Sequence, residues 1–396
     1  MMKKVISFLC SILLVSAFCF GLVSCTKTTP VSSEKEDPRT FSFELVEDEN
    51  GKETYTFTGF SLSEEAQALA DAGNYAELAK LFNTDLKAGE TTFNAETVRK
   101  FAVPQVFEGI KVTKVAMNAV SYQNFITELV IPKTIEEIEL GSFVGLSSLE
   151  KITIPFAGAK LGGLSEKRLF GYIFGEAEYT GSTAITQTFN NGSSENTKTY
   201  HIPASLKTVV ITGDIKVANK EIGYYINAED KMVVLKDGET APEGFEMLTL
   251  NSQSYAESAV QPYAFYGVSM IENVEFKGTA TIIPDYAFYG CGIKNLTIPT
   301  TVKTISKFAF ANCASIKTID LANVTEIREG GFNGCSSIGK NTETTVGSLN
   351  LSKVTTLGKD AFVGCSSLDA EKVTFNSSLT EEVKKDAFGE DFFEEE

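Results

Sequence analysis

The feature that most limits the folds open to this chain is a phenylalanine that returns at a nearly fixed interval. Phe265, Phe288, Phe310 and Phe332 are separated by 23, 22 and 22 residues, and Phe362 and Phe388 follow after 30 and 26. Ala287, Ala309, Ala361 and Ala387 precede four of them, and Cys291, Cys313, Cys335 and Cys365 each stand three residues beyond one. A second phrase keeps step with the first: an apolar residue followed at +3 and +5 by two more. It occurs at Val98/Phe101/Val103, Ile126/Leu129/Ile131, Leu149/Ile152/Ile154, Leu206/Val209/Ile211, Phe245/Leu248/Leu250, Ile271/Val274/Phe276, Ile293/Leu296/Ile298 and Ile316/Ile319/Leu321. Two late copies are stretched, Ile338 meeting Leu349/Leu351 and Leu368 meeting Val373/Phe375. The +3/+5 pair alternates as strand residues do. Pro104, Pro132, Pro155 and Pro299 close several copies, because proline cannot donate to a further ladder. A third phrase, as in Val302/Ile305 and Val324/Ile327, leads to the next Phe.

A coil of this length with two apolar edges can bury neither alone. Stacking on neighbours about 4.8 Å away supplies ladder and core together. The period therefore predicts a β-rich solenoid over residues 98–390, with insertions at about 156–205 and 213–244 that interrupt the stack. Ahead of it, FSFELVEDENGKETYTFTGF reads as two strands around Asn50-Gly51, and a helical pattern from Ser63 to about Phe82 breaks at Gly73-Asn74. Residues 41–97 are thus expected to form an N-terminal cap of hairpin and short helices, and 391–396 a frayed acidic tail.

The repeat grammar resembles the BspA-type leucine-rich repeat of bacterial surface lipoproteins. That motif runs close to L-xx-I-x-IP-xx-V-xx-I-xxx-AF-xx-C, and Leu296 to Cys313 matches it nearly residue for residue. Phe101 to Val120 and Ile152 to Gly175 also look like that family, although Val120 replaces the repeat Phe. The resemblance implies a leucine-rich repeat solenoid that binds other macromolecules, in adhesion to host or neighbouring cells.

Residues 1–24 have the layout of a secretory signal: Lys3-Lys4, then an almost wholly apolar run to Val23. Leu22-Val23-Ser24-Cys25 resembles the lipobox of bacterial lipoproteins, which implies cleavage before Cys25, its acylation, and a flexible tether over residues 25–40. A plain signal peptide, or an uncleaved membrane helix, is the other reading of the same residues. The resemblance to surface lipoproteins favours location at the outer membrane or cell surface over the periplasmic face, while the sequence by itself does not name the leaflet.

Composition narrows the function. A net charge of -17, from 35 Lys+Arg against 52 Asp+Glu, repels nucleic acid and anionic lipid. Removing residues 1–24 takes away two lysines and leaves 33 minus 52, or -19, so membrane contact would rest on the lipid alone. A single histidine, His201, removes most acid–base, zinc and triad schemes, and it is expected to face solvent.

Cys291, Cys313, Cys335 and Cys365 occupy one column of stacked coils and read as buried thiols rather than a zinc or disulfide set. Tyr263, Tyr266, Tyr286 and Tyr289 flank the repeat Phe and read as packing or rim residues, with carbohydrate stacking the other reading. No phosphate-binding glycine pattern and no cofactor motif is present.

One residue per coil lies between the two inward apolar positions and so points out. This column reads Ala102, Val130, Thr153, Val210, Thr249, Glu275, Thr297, Asp320, Asn350 and Thr374. Its polar members, Thr153, Thr249, Glu275, Thr297, Asp320, Asn350 and Thr374, are the candidate partner-binding residues for a protein or glycan. The expectation is a monomeric, non-enzymatic, lipid-anchored binder without a cofactor. An envelope-organising lipoprotein, or a glycan-binding or glycan-processing protein using the insertions, are the alternatives.

Overall fold

Short parallel strands, one per coil, form the first edge of the array. Lys100–Ala102, Glu128–Val130, Lys151–Ile154, Thr208–Ile211 and Asn273–Phe276 are neighbours in that order, all parallel. Their inward residues Phe101, Leu129, Ile152, Ile154, Val209, Ile211 and Val274 are buried, as strand alternation requires. The computed structural model describes residues 37–48, 50–84, 92–190, 194–227, 232–235, 239–245, 247–294, 296–340 and 347–393. The expected signal sequence and Cys25 lie outside them.

The insertions do not interrupt this ladder. Thr208–Ile211 bonds Lys151–Ile154 on one side and Asn273–Phe276 on the other, so both insertions are looped out of a continuous sheet. The first contains an antiparallel hairpin, Ser182–Asn190 with Glu195–Pro203. The second forms a three-stranded antiparallel sheet of Ala218–Ile226, Met232–Val234 and Leu248–Ser254. Thr249 therefore stands opposite Gly223 in a separate sheet and not in the outward column. The phrase Phe245/Leu248/Leu250 misleads because a two-residue alternation is the same in an antiparallel strand as in a parallel one. Further along, Leu296 to Ile298 and Ile319 to Leu321 form no strand among the described residues. Parallel pairing resumes with Leu349–Leu351 and Val373–Phe375.

A second edge is built from pairs of residues. Ile282–Ile283, Thr304–Ile305, Glu326–Ile327 and Thr356–Leu357 are parallel neighbours, and at the start Ile110–Val115 bonds Glu137–Ile138.

The third edge is a column of turns carrying the repeat phenylalanines. Successive rings from Phe265 through Phe288, Phe310, Phe332 and Phe362 to Phe388 stack at 5.1, 5.4, 5.4, 5.4 and 5.0 Å, within 17° of parallel. Backbone bonds run alongside: the Phe265 N–H donates to the Ala287 carbonyl, Phe288 to Ala309 and Phe310 to Gly331. Losing one such ring would cost about 3–5 kcal/mol.

Both ends are covered. Arg39–Glu47 and Glu53–Leu62 form the N-terminal hairpin, whose second strand pairs in parallel with Ile110–Val115 and so extends the second edge. Helices α1 (Glu64–Asp71) and α2 (Tyr75–Phe82) follow, capped by Ser63 and Asn74 and separated at Gly73, where φ is 68°. At the far end α3 (Glu381–Phe388) delivers Phe388 onto Phe362, and Phe392 and Phe393 pack onto Phe388. The tail is thus not frayed as far as Phe393, because its two phenylalanines close the exposed end of the ring stack.

Candidate binding surfaces

The outer face of the first-edge sheet brings Ala102, Val130, Thr153, Val210 and Glu275 into one row, adjacent in register from strand to strand. A second row, Lys100, Glu128, Lys151, Thr208 and Asn273, runs beside it. Charges in the two rows pair within the face. Lys100 Nζ lies 3.3 Å from Glu128, Lys151 Nζ 3.7 Å from Glu275, and Lys277 Nζ 3.2 Å from Glu275. The Lys151–Glu275 pair reaches across the strand between them, over Val210, which is 5% exposed although it points outward. At the sheet margin Glu272 is shared by Lys207 and Lys294, and the Lys294 ammonium holds its carboxyl below the usual range. An open groove of about 520 Å³ lies along the first strands, lined by Arg99, Lys100, Glu128, Glu150 and Lys151.

Of the predicted column, Thr153 and Glu275 are together on this sheet. Asn350 and Thr374 are exposed neighbours in the later pair of strands. Thr297 and Asp320 are exposed but belong to no strand. Thr249 is elsewhere, as described above.

The turn edge carries two aromatic columns. Tyr263, Tyr286 and Phe308 stack at 4.7 and 5.1 Å, and Tyr266 and Tyr289 at 4.5 Å with planes 4° apart. The backbone is left-handed at Tyr263, Tyr286 and Phe308, with φ of 67°, 55° and 51°. Such a conformation costs L-residues about 1–2 kcal/mol each. Burial pushes the Tyr286 phenol up to about 12, helped by Tyr263 and by the acids Glu195, Glu329 and Asp285, so it stays a protonated donor. The first insertion abuts this edge. Gln187, fully buried, accepts from Gly171 N–H (2.7 Å) and donates to the carbonyls of Ala264 (3.1 Å) and Tyr266 (3.3 Å). Its amide supplies the bonds that backbone supplies between ordinary coils. Phe170 joins the ring stack 4.7 Å from Phe265. The sequence reading missed both residues. A Leu-Phe pair at Leu169-Phe170, in place of Ala-Phe, is the faint signal that was there.

Each repeat cysteine is buried and donates its Sγ–H to the carbonyl of the preceding repeat Phe, at 3.2, 3.0, 3.0 and 3.3 Å for Cys291, Cys313, Cys335 and Cys365. Burial pushes all four thiols up, Cys365 to about 12, which is the opposite of nucleophile activation. His201 is half-buried rather than solvent-facing, with Nδ1 3.2 Å from Ser182 Oγ. That hydroxyl gives its proton to the Tyr179 carbonyl (2.7 Å), so the pair is a structural contact rather than a primed nucleophile. Among the described residues no group of three or more His, Cys, Asp or Glu is placed to hold a metal, and no helix is long and apolar enough to cross a membrane.

Parallel coils, a stacked phenylalanine column and a buried cysteine under four successive turns define a leucine-rich repeat scaffold. The BspA type leucine rich repeat region matches residues 87–164 and 258–391 in 6 copies, more than half of the chain, and the chain belongs to that family. The unmatched stretch between, residues 165–257, holds the antiparallel strands of both looped-out insertions. No curated protein matches the chain. Among solved structures, a leucine rich cell surface protein from Faecalibacterium prausnitzii is similar at 16% identity and a TM-score of 0.33. That likeness covers 88% of this chain, which spans 56% of the longer protein. A leucine rich repeat protein of T. pallidum is similar at 14% identity and a TM-score of 0.32, over 84% of this chain and 96% of that one.

Proposed function

We propose that this chain is a lipid-anchored cell-envelope protein that binds a partner macromolecule through its first-edge sheet and serves in adhesion to host or neighbouring cells. One observation carries the reading: the outer face of that sheet is a row continuous in register from Ala102 to Glu275, closed over Val210 by the Lys151–Glu275 pair, with flanking charges paired to one another. A flat face without unmet charge can meet an extended partner without stripping water from isolated ions. The reading assigns no catalytic step, no cofactor and no nucleic-acid partner, and it takes the chain as a monomer.

The anchor is Cys25, and the array faces outward from the outer membrane. Metabolic labelling with a fatty acid is expected in the wild type and lost in Cys25→Ala. Protease shaving of intact cells is expected to remove the repeats; a chain that survives shaving would place it on the periplasmic face and end the adhesion reading. Thr153→Lys with Glu275→Lys is expected to abolish attachment of cells displaying the chain to matrix-coated surfaces or partner bacteria. Thr249→Lys serves as the control on a separate sheet. Attachment unchanged by the sheet pair would contradict the proposal.

A further inference from the structure

One place on the turn edge, two residues beyond the buried ring, is kept for glycine in several coils. Gly145, Gly267, Gly290, Gly334 and Gly364 hold it with φ between 68° and 80°. Tyr122, two residues beyond Val120, holds it in the coil ahead of Gly145. Its φ is 55°, and its N–H donates to the Val144 carbonyl (3.0 Å) as Gly267 donates to Tyr289. A side chain on left-handed backbone is strained, and a bulky one most of all. Strain kept where glycine serves elsewhere points to a use for the ring itself.

The ring lies face down on the next coil. A Cβ built on Gly145 would stand 2.5 Å from Tyr122 Cδ1 and 2.9 Å from both Cγ and Cε1. Such near-equal distances put that point above the ring plane, because an approach along the ring edge would leave the two flanking atoms much farther off than Cδ1. Gly145 is thus the floor under one face. The other face is open: Tyr122 is 55% exposed, and no aromatic ring stacks on it among the described residues. This sets it apart from Tyr263, which is 8% exposed, and from Tyr266 and Tyr289, whose faces cover one another.

Polar groups accompany the ring in the same register. Asn124, exposed and two residues past Tyr122, accepts a hydrogen bond from Ser147 Oγ at 2.9 Å, and Ser147 is two residues past Gly145. That bond fixes the carboxamide and leaves its NH2 group to donate to a ligand. Tyr179 adjoins the ring, its buried hydroxyl close enough for Tyr122 to act on it electrostatically. Neither coil brings a charge. Ala116 to Thr127 and Leu140 to Leu149 contain no Asp, Glu, Lys or Arg, in a chain that is 22% charged.

These features select the occupant. An open ring face attracts either a cation or the C–H face of a sugar. A cation taken out of water needs a carboxylate beside it, and these two coils offer none. An anionic group would find no cation on them either, in a chain of net charge -17. A neutral sugar needs only a flat apolar face for its C–H groups and amide or hydroxyl groups at the rim for its own hydroxyls.

We propose that Tyr122 and Asn124 form a subsite for a neutral carbohydrate, with one pyranose ring stacked on the open face of Tyr122 and a sugar hydroxyl accepting from the Asn124 amide. Gly145 and Ser147 are the positioning residues beneath them. The subsite lies outside the first-edge sheet, so either surface can fail alone.

The test is binding of the purified full-length chain, kept in a sugar-free detergent, to an array of neutral and acidic oligosaccharides, followed by calorimetric titration with the glycans captured. Neutral glycans are expected to be captured, and Tyr122→Ala to weaken their binding about tenfold or more. Tyr122→Gly should do the same with an unchanged circular dichroism spectrum, since glycine already serves at this place in five other coils. Tyr122→Trp should keep binding, and its emission should shift on saturation, read cleanly because the chain has no Trp of its own. Asn124→Ala should weaken binding several-fold, and Thr153→Lys with Glu275→Lys should leave it unchanged. Capture of no neutral glycan, undiminished binding by Tyr122→Gly, retention of acidic glycans alone, or Tyr122-dependent binding of a pentalysine peptide instead would each overturn the proposal.

Discussion

From Phe265 to Phe388 the chain repeats strand and turn phrases in sequence and in space together, whereas between Leu149 and Phe265 the strand phrase recurs in sequence but the turn edge repeats only in space. In the later region the coils contribute their own turn Phe, preceded by Ala in all but Phe332, four of them their own buried thiol, and most their own short second-edge strand. In the middle region the strands Lys151–Ile154, Thr208–Ile211 and Asn273–Phe276 keep their register, while the turn edge is completed by residues with no repeat signature. Phe170 supplies the ring and Gln187 the hydrogen bonds. The difference teaches that the array requires groups at coil spacing, and that a side-chain amide from an inserted hairpin satisfies this as well as a coil does.

Removing a ring from each region tests this most severely. Phe310→Ala is expected to lose about 3–5 kcal/mol, and Phe170→Ala a comparable amount, measured by chemical denaturation. If Phe170→Ala costs under about 1 kcal/mol, the middle region is not part of the stack. Gln187→Ala leaves the Tyr266 carbonyl and the Gly171 N–H unsatisfied and should lower stability by about 2–3 kcal/mol, while a neutral outcome would show that solvent reaches those groups.

The thiols of the later region give a pH signature. Burial raises their pKa, so above about 9 the unfolded chain releases protons that the native state retains, and stability falls as pH rises from 9 towards 12. Between pH 9 and 10 the Cys365→Ala variant should lose about 1 kcal/mol less than the wild type. Equal slopes would place the thiol in contact with water. Tyr286→Asn should have the smallest effect, under about 1 kcal/mol, because relief of left-handed backbone offsets the lost ring contact. A loss of several kcal/mol would make the aromatic column structural.

The repeat scaffold was legible because its determinants are local and periodic: the Phe column, the +3/+5 strands, and the helix break at Gly73-Asn74 capped by an asparagine. The family follows from the same residues. Thr249 was misplaced because alternation carries no information about strand direction or sheet membership. Gln187 was silent because its role depends on where an insertion lands, on Ala264 and Tyr266, far away in sequence. Phe392 and Phe393 were masked by the acids around them, although an unfinished ring stack at Phe388 calls for an apolar cover. The half-burial of His201 likewise comes from pairing of the hairpin, which puts it opposite Ala184 and beside Ser182.

The central claim is that the first-edge sheet is the surface that meets a partner. Its most direct test is site-specific photo-crosslinking on adherent intact cells, with a photoreactive residue at Thr153 or at Thr249. The account predicts a discrete partner adduct from position 153 and none from position 249. Adducts from 249 alone, or none from 153 on cells that adhere, would contradict it.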